Sequence, residues 1–119
     1  MAWQFSSDKP VYLQIAERIT KSVLSGEYKP GEQIPAVRQL AQFIAVNPNT
    51  VQHAFSELEK DGLIISKGTS GRFVTEDTEI IAKCRNSLAK EIVKEFVKNI
   101  NRLSIPKEQI LAMIEEEEK

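Results

Sequence analysis

Residues 36–60 read AVRQLAQFIAVNPNTVQHAFSELEK, and they decide the fold of this chain. Apolar side chains recur at spacings of three and four in two segments, residues 36–44 and residues 47–60, which predicts two helices. The second helix has a clear start, because Asn47 is a favoured N-cap and Pro48 suits the first helical position. Two helices joined by so short a turn are typical of a helix-turn-helix.

The segments on either side of this motif complete a small domain. Upstream, the apolar spacing predicts a helix from about residue 10 to residue 25, and a proline at position 35 favours an extended conformation for residues 33–34. Downstream, residues 63–66 and 72–75 have the composition of two short strands that flank a glycine-containing loop. A β-hairpin directly after a helix-turn-helix is a wing. We therefore predict a winged helix-turn-helix over residues 1–75.

A long apolar stripe follows from residue 76 and predicts an amphipathic helix of about 25 residues. Ser104 is then expected to cap a last helix that has Pro106 in its first turn. Residues 76–119 would thus form a helical tail, and the predicted fold class is mainly α with a small β-hairpin. The stripe could fold back onto the winged helix or pair with the same helix of a second chain. We favour pairing, because helix-turn-helix proteins usually bind two half-sites as symmetric dimers. The predicted dimerisation residues are Ile81, Cys84, Leu88, Ile92, Phe96 and Ile100.

The composition argues against several classes of protein. Of 119 residues, 41% are hydrophobic and 28% charged, which is typical of a globular protein. The sequence shows neither a signal peptide nor an apolar run that could cross a bilayer, so we expect a cytoplasmic protein. One cysteine, Cys84, and one histidine, His53, supply neither a disulfide framework nor a metal site. We therefore expect no metal and no cofactor. Because the sequence also shows no nucleophile paired with a base, we expect no enzyme activity.

The balance of charge does not by itself favour nucleic-acid binding. The formal net charge is -1, and residues 1–75 carry eight basic against seven acidic side chains. An anionic partner would therefore be recognised by the positions of the charges and not by their number.

The helix predicted over residues 47–60 has a polar face beside its apolar one. Asn49, Gln52, His53 and Ser56 repeat the helical spacing, and each of these side chains can donate and accept hydrogen bonds. Asn and Gln amides pair with adenine in the major groove of DNA, and the acidic residues of this helix are confined to its far end. An ordinary solvent face is the alternative interpretation. The turn, the preceding helix and the following wing favour DNA.

Several stretches resemble the DNA-binding domain of the GntR family, over about residues 9–75. They are PVYLQI at residues 10–15, KPG at residues 29–31, IPAVRQLA at residues 34–41, VNPNTV at residues 46–51 and GRFV at residues 71–74. The VNPNTV stretch and the short two-helix tail are most similar to the YtrA-like subfamily. This resemblance implies a homodimeric regulator, commonly a repressor and often of genes for membrane transporters. We expect such a dimer to bind a palindromic operator.

The resemblance also implies roles for single residues. Arg38 corresponds to the family's DNA-contacting arginine at the start of the second helix, and Gly71 with its neighbours corresponds to a wing tip that reaches the minor groove. The predicted DNA-binding residues are Arg38, Asn47, Asn49, Thr50, Gln52, His53, Lys67, Thr69, Ser70, Gly71 and Arg72. In two respects the chain departs from the family: Ala36 replaces the usual serine, and Pro48 and Gln52 stand where many relatives have arginine. We therefore expect amides, and not guanidinium groups, to read the bases.

Other interpretations of these residues stay open from the sequence. Arg38 could form an ion pair with Glu32, and Lys67 and Arg72 could be solvated charges at a strand edge. Cys84 is interpreted as a small core residue instead of a redox sensor. A winged helix that contacts another protein is the rival function, and a small-molecule effector could bind at the dimer interface, although the sequence identifies none.

Overall fold

The structure is a computed structural model, and it describes residues 3–119. Its elements are α1 (Val11–Leu24), α2 (Val37–Ile44), α3 (Pro48–Lys60), β1 (Ile64–Ser66), β2 (Arg72–Val74), α4 (Thr78–Asn101) and α5 (Lys107–Glu117). The predicted class, mainly α with a small β-hairpin, is confirmed. One detail differs, because the loop between the strands contains a 3-10 turn, Gly68–Ser70, in place of an irregular glycine loop.

The hydrophobic core lies among the first three helices and the hairpin. Each helix contributes its stripe of apolar side chains, and the side chain of Phe55 on α3 is fully buried. Burial of a side chain of this size stabilises the fold by about 1.5–3 kcal/mol relative to its exposure. Trp3 also packs on this core, where its ring lies 4.5 Å from the guanidinium carbon of Arg18. Trp3 therefore packs on the winged helix of its own chain.

The turn between α2 and α3 has well-defined hydrogen bonds. Helix α2 ends at Ile44, and its C-cap Ala45 adopts the left-handed conformation with φ 60°. The amide of Val46 donates to the carbonyl of Ala41 at 3.0 Å. Helix α3 begins as predicted, because the Asn47 side chain accepts from the amide of Asn49 at 2.8 Å. Both caps are local and fix the direction in which α3 leaves the turn.

The wing is paired on both sides of its second strand. Strands β1 and β2 are antiparallel, with Ile64 opposite Val74. On the other edge of β2, the amide of Val74 donates to the carbonyl of Glu32 at 2.8 Å, and the amide of Ile34 donates to the carbonyl of Arg72 at 3.0 Å. The extended segment predicted at residues 33–34 is confirmed, and it joins the wing to the segment that leads into α2.

Helix α4 begins in the winged-helix unit. The Asp77 carboxylate caps it by accepting from the amide of Glu79 at 2.9 Å, and Ile81 and Cys84 then pack on the core. Arg85 donates to the carbonyl of Leu24 at 3.2 Å. By its contacts the chain divides after Arg85. That division lies inside α4, later than the boundary that we predicted after residue 75, because the first two turns of the helix bury apolar side chains against the domain.

The second unit, Asn86–Lys119, consists of the rest of α4 together with α5. Most of its large apolar side chains are exposed: Ile92, Val93, Phe96, Val97, Leu103, Leu111, Met113 and Ile114. The predicted cap of the last helix at Ser104 is wrong. Ser104 has φ 54° and closes the turn after α4, whereas Pro106 is the N-cap of α5.

Candidate nucleic-acid interface

Helix α3 separates an apolar face from a polar face, as its sequence predicts. Val51, Ala54, Phe55 and Leu58 are buried on one side. The other side exposes Asn49, Gln52, His53 and Ser56. Because the buried side is fixed against α1 and α2, the polar face has one orientation relative to the rest of the domain.

The predicted site residues lie on three neighbouring elements of this one unit. Those that are exposed are Arg38 on α2, Asn47, Asn49, Gln52 and His53 at α3, and Lys67, Thr69 and Ser70 at the wing. Thr50, Gly71 and Arg72 are half-buried. A groove of about 1380 Å³ brings Arg38 together with Gly71 and Arg72. The α2 arginine and the wing thus line one groove.

Arg38 is free of the ion pair that the sequence left open. Within residues 3–119 no carboxylate lies within 4.0 Å of it, and the carboxylate of Glu32 instead accepts from the backbone amide of Lys29 at 2.9 Å. At the N-cap of α2, Ala36 offers no side-chain oxygen. Its own amide donates to the side chain of Gln39 at 3.3 Å, which forms half of a capping box.

The two wing cations differ in their surroundings. Lys67 is exposed, and its ammonium lies 4.8 Å from the centre of the Phe73 ring. Arg72 forms an ion pair with Glu59 at 3.3 Å, and its guanidinium carbon lies 5.2 Å from the centre of the Phe55 ring. The interpretation of Arg72 as a solvated edge charge is therefore wrong, because the acidic end of α3 lies within its reach.

His53 is also held by a neighbour outside α3. Its ring stacks on the ring of Tyr12 in α1, with 3.5 Å between the ring centres and an angle of 7° between the planes. One face of the imidazole is consequently covered, and the exposed edge is what a partner could contact.

The wing loop depends on a glycine and on a distant amide. Gly71 has φ 109° and ψ -161°, a conformation that is almost restricted to glycine. A Cβ atom at this position would lie 2.5 Å from Nε2 of Gln33. The same nitrogen donates to the carbonyl of Ser70 at 2.9 Å, and this bond fixes the tip of the wing.

Three residues of the site were missed from the sequence: Tyr12, Gln33 and Glu59. Each acts on a partner that is distant along the chain, and for Tyr12 and Gln33 no local pattern identifies that partner. For Glu59 there was a weak signal, since it is the acidic residue of α3 that a basic residue in the following strand could reach.

Two observations concern what the described part of the chain lacks. Over residues 3–119, no group of three or more His, Cys, Asp or Glu side chains is arranged to hold a metal ion. None of the helices described there is both long and apolar enough to span a membrane.

Comparison with known proteins gives a consistent result. The family of bacterial regulatory proteins called the gntR family matches residues 11–74. The HTH-type transcriptional regulator YhcF of Bacillus subtilis is 39% identical over 108 residues, which cover 91% of this chain and 89% of YhcF. The HTH-type transcriptional repressor YtrA of the same organism is 32% identical over 111 residues, which cover 92% of this chain and 85% of YtrA.

Comparison with solved structures also finds GntR family regulators. A GntR family transcriptional regulator from Listeria monocytogenes superposes with a TM-score of 0.85 at 35% identity, covering 94% of this chain and 98% of its own. The DNA-binding domain of AraR, solved in complex with operator ORX1, superposes with a TM-score of 0.56 at 29% identity, covering 63% of this chain and 92% of its own.

Proposed function

Since this chain belongs to the GntR family and is a DNA-binding transcription regulator and not an enzyme, we propose that it represses transcription by binding a palindromic operator as a cytoplasmic homodimer. The observation that carries the proposal is the arrangement of Arg38, the polar face of α3 and the wing on one unit. The name of YtrA as a repressor and the AraR complex with operator DNA support the same conclusion.

In this proposal, α3 enters the major groove and the wing follows the adjacent minor groove. Asn49 and Gln52 meet base edges, whereas Arg38 grips a phosphate or a guanine edge. The amides of Val37 and Arg38 in the first turn of α2 have no partner among the described residues, so they add hydrogen bonds to the same phosphate. Such contacts do not depend on net charge.

The proposed function also requires dimerisation. Because each subunit has few cations that could contact phosphate, one subunit alone would bind DNA weakly. The exposed apolar residues of α4 supply the face that would pair with the partner's α4. Ile81 and Cys84 already pack on the core of their own domain, so we narrow the proposed face to Leu88, Ile92, Phe96 and Ile100. Similarity to the YtrA-like subfamily further suggests genes of a membrane transporter as the target.

Selection of bound fragments from genomic DNA, followed by sequencing, tests the operator proposal. We expect one enriched inverted repeat, and we expect its removal from the promoter to raise expression of the adjacent genes. Recovery of no inverted repeat would contradict the proposal.

Arg38→Ala tests the α2 contact. We expect weaker operator binding, and a slope of log affinity against log salt that is smaller by about 0.9 per subunit, because one phosphate contact is lost. Lys83→Ala on α4, which removes an exposed charge outside the interface, is the control and should leave the slope unchanged. If both variants behave alike, Arg38 contacts no phosphate.

A further inference from the structure

The side chain of Arg72 connects the wing to the face of α3 that reads DNA. Its Nε donates to Glu59 at 3.3 Å, and its Nη2 donates to Oε1 of Gln52 at 3.4 Å. The ring of Phe55 lies under the guanidinium carbon at 5.2 Å. Less than a third of either ion-pair side chain is exposed, at 23% for Arg72 and 29% for Glu59. Three contacts therefore hold a charged group that would otherwise be mobile.

These contacts determine how the Gln52 amide is oriented. A guanidinium group has only donors, so the amide can face it only with its oxygen. Ser56 contacts the nitrogen end of the same amide. The Ser56 hydroxyl donates to the backbone carbonyl of Gln52 at 3.0 Å and accepts from Nε2 of Gln52 at 3.4 Å. One N–H of the amide consequently remains for an external acceptor, while one of the two lone pairs of the amide oxygen is taken by Arg72.

From this geometry we propose that Arg72, held by Glu59, positions Gln52 as a hydrogen-bond donor, so that Gln52 selects guanine over adenine at its base pair. The proposal rests on the proposed operator binding. A free glutamine amide pairs with adenine by accepting from N6 and donating to N7. The bond from Arg72 takes one of the two lone pairs of this oxygen and draws the oxygen toward the wing, so Gln52 is a poorer acceptor for the N6 amino group and its two-bond pairing with adenine is weakened. Guanine presents two acceptors, O6 and N7, to the remaining N–H.

Arg72 is thus a positioning residue and not a phosphate contact. Its charge is balanced by Glu59, which lies near the C-terminal end of α3. If Arg72 instead gripped a phosphate, the ion pair would have to open and Gln52 would lose the fixed orientation of its amide. The two interpretations make different predictions for base preference and for salt dependence.

Selection from a library of inverted repeats with randomised half-sites tests the proposal on the full chain. The base pair read by Gln52 is the position at which Gln52→Ala relaxes the preference. At that position we expect the unsubstituted protein to prefer guanine over adenine by about 5-fold, the lower end of the range of a two-bond base contact, because a single N–H makes the contact. In Arg72→Met the ratio should shift toward adenine by about tenfold, whereas preferences elsewhere in the half-site stay the same.

Lys67→Met is the matched control, because it removes the other wing cation, which makes no hydrogen bond to Gln52. It should lower affinity at all sequences alike and leave the guanine-to-adenine ratio unchanged. Methionine at position 72 keeps the apolar contact with Phe55, and thermal unfolding followed by circular dichroism verifies that each variant is folded.

Glu59→Gln provides a second, independent variant. Without the carboxylate, Arg72 becomes free to bind phosphate, so we expect the salt slope to grow by about 0.9 per subunit while the preference for guanine declines.

Three results would overturn the proposal: a preference for adenine in the unsubstituted protein, an unchanged ratio in Arg72→Met, or no position relaxed by Gln52→Ala. All three leave an enriched inverted repeat and therefore leave the proposed function intact. Failure of the unsubstituted protein to enrich any repeat would instead contradict the proposed function itself.

Discussion

At the scale of single residues, Ala45 controls the turn between α2 and α3. Its backbone is left-handed, with φ 60°, and its side chain is exposed. A residue other than glycine in this conformation brings Cβ close to a carbonyl oxygen, which costs about 1–2 kcal/mol. The turn thus carries strain that a single substitution can relieve.

We expect Ala45→Gly to stabilise the domain. The relief of strain exceeds the entropy that glycine adds to the unfolded chain, so the free energy of unfolding should rise by about 0.5–1 kcal/mol. Thermal or urea unfolding measures the change. Ala82→Gly, at an exposed position inside α4, is the matched control and should destabilise by about 1 kcal/mol. Destabilisation by both variants would mean that the turn is not strained.

Cys84 gives a prediction that depends on pH. Burial, with a contribution from the nearby charge of Asp61, raises the pKa of the Cys84 thiol above its ordinary value. Less thiolate is therefore present at pH 8 than in a free cysteine, and the thiolate is the reactive form. We expect iodoacetamide to alkylate the folded protein slowly at pH 8 and faster as the pH rises further. The urea-unfolded chain at the same pH should react faster; equal rates would support an exposed, sensor-like thiol.

At the scale of elements, α3 is held from outside by two contacts on its polar side. Tyr12 of α1 stacks on His53, and Arg72 of β2 binds Glu59 and Gln52. The polar face is therefore part of the domain's packing and not a freely solvated surface. Substitutions on α1 or β2 should change what α3 presents to DNA.

A double-mutant cycle of Tyr12→Leu and His53→Leu tests the first of these contacts. The two rings stack face to face, without the offset that aromatic pairs prefer, so we expect a coupling of about 0.5–1 kcal/mol in the free energy of unfolding, in the lower part of the range for such pairs. A second cycle that pairs Phe43→Leu with His53→Leu is the control. Because Phe43 is exposed on α2 and no stacking contact joins it to His53, its effects should add to within about 0.5 kcal/mol. Additivity in the first cycle would show that the stack contributes nothing.

The elements also show which features can be read from a sequence. The start of α3 was predicted correctly because Asn47 caps a neighbouring amide and the ring of Pro48 fixes its own backbone in a helical conformation. The same local argument failed at Ser104, because the chain first has to close the turn after α4 before α5 begins at Lys107. The bond from Gln33 to Ser70 spans 37 residues, and only the folded pairing of the wing brings its ends together.

At the scale of the whole molecule, the proposed dimer depends on the apolar face of α4. Phe96 is 41% exposed and Ile92 is 51% exposed. We expect Phe96→Glu to convert the dimer to a monomer, because each interface loses about 1.5–3 kcal/mol of apolar burial per side chain and gains a carboxylate without a partner. Size-exclusion chromatography with light scattering measures the mass.

Lys94→Gln is the matched control for this variant, since it changes the net charge by the same amount at an exposed position of the same helix. It should remain a dimer and keep its affinity for the operator. The monomeric variant should bind a single half-site weakly, because the contacts of the second subunit are lost. If the unsubstituted protein is a monomer, there is no symmetric dimer to bind a palindromic operator, and this part of the proposed function is contradicted.

The pairing of the wing with residues 33–34 also has a consequence for the DNA itself. Hydrogen bonds join β2 to the segment that precedes α2, so the wing cannot move along the duplex independently of the two helices. In the proposed complex, the distance between the DNA contacts of the wing and those of α3 is therefore fixed within each subunit. One base pair inserted inside a half-site shifts the far contact by about 3.4 Å, and we expect this single insertion to abolish specific binding. Electrophoretic mobility shifts on operators lengthened one base pair at a time would measure the half-site length that the protein tolerates.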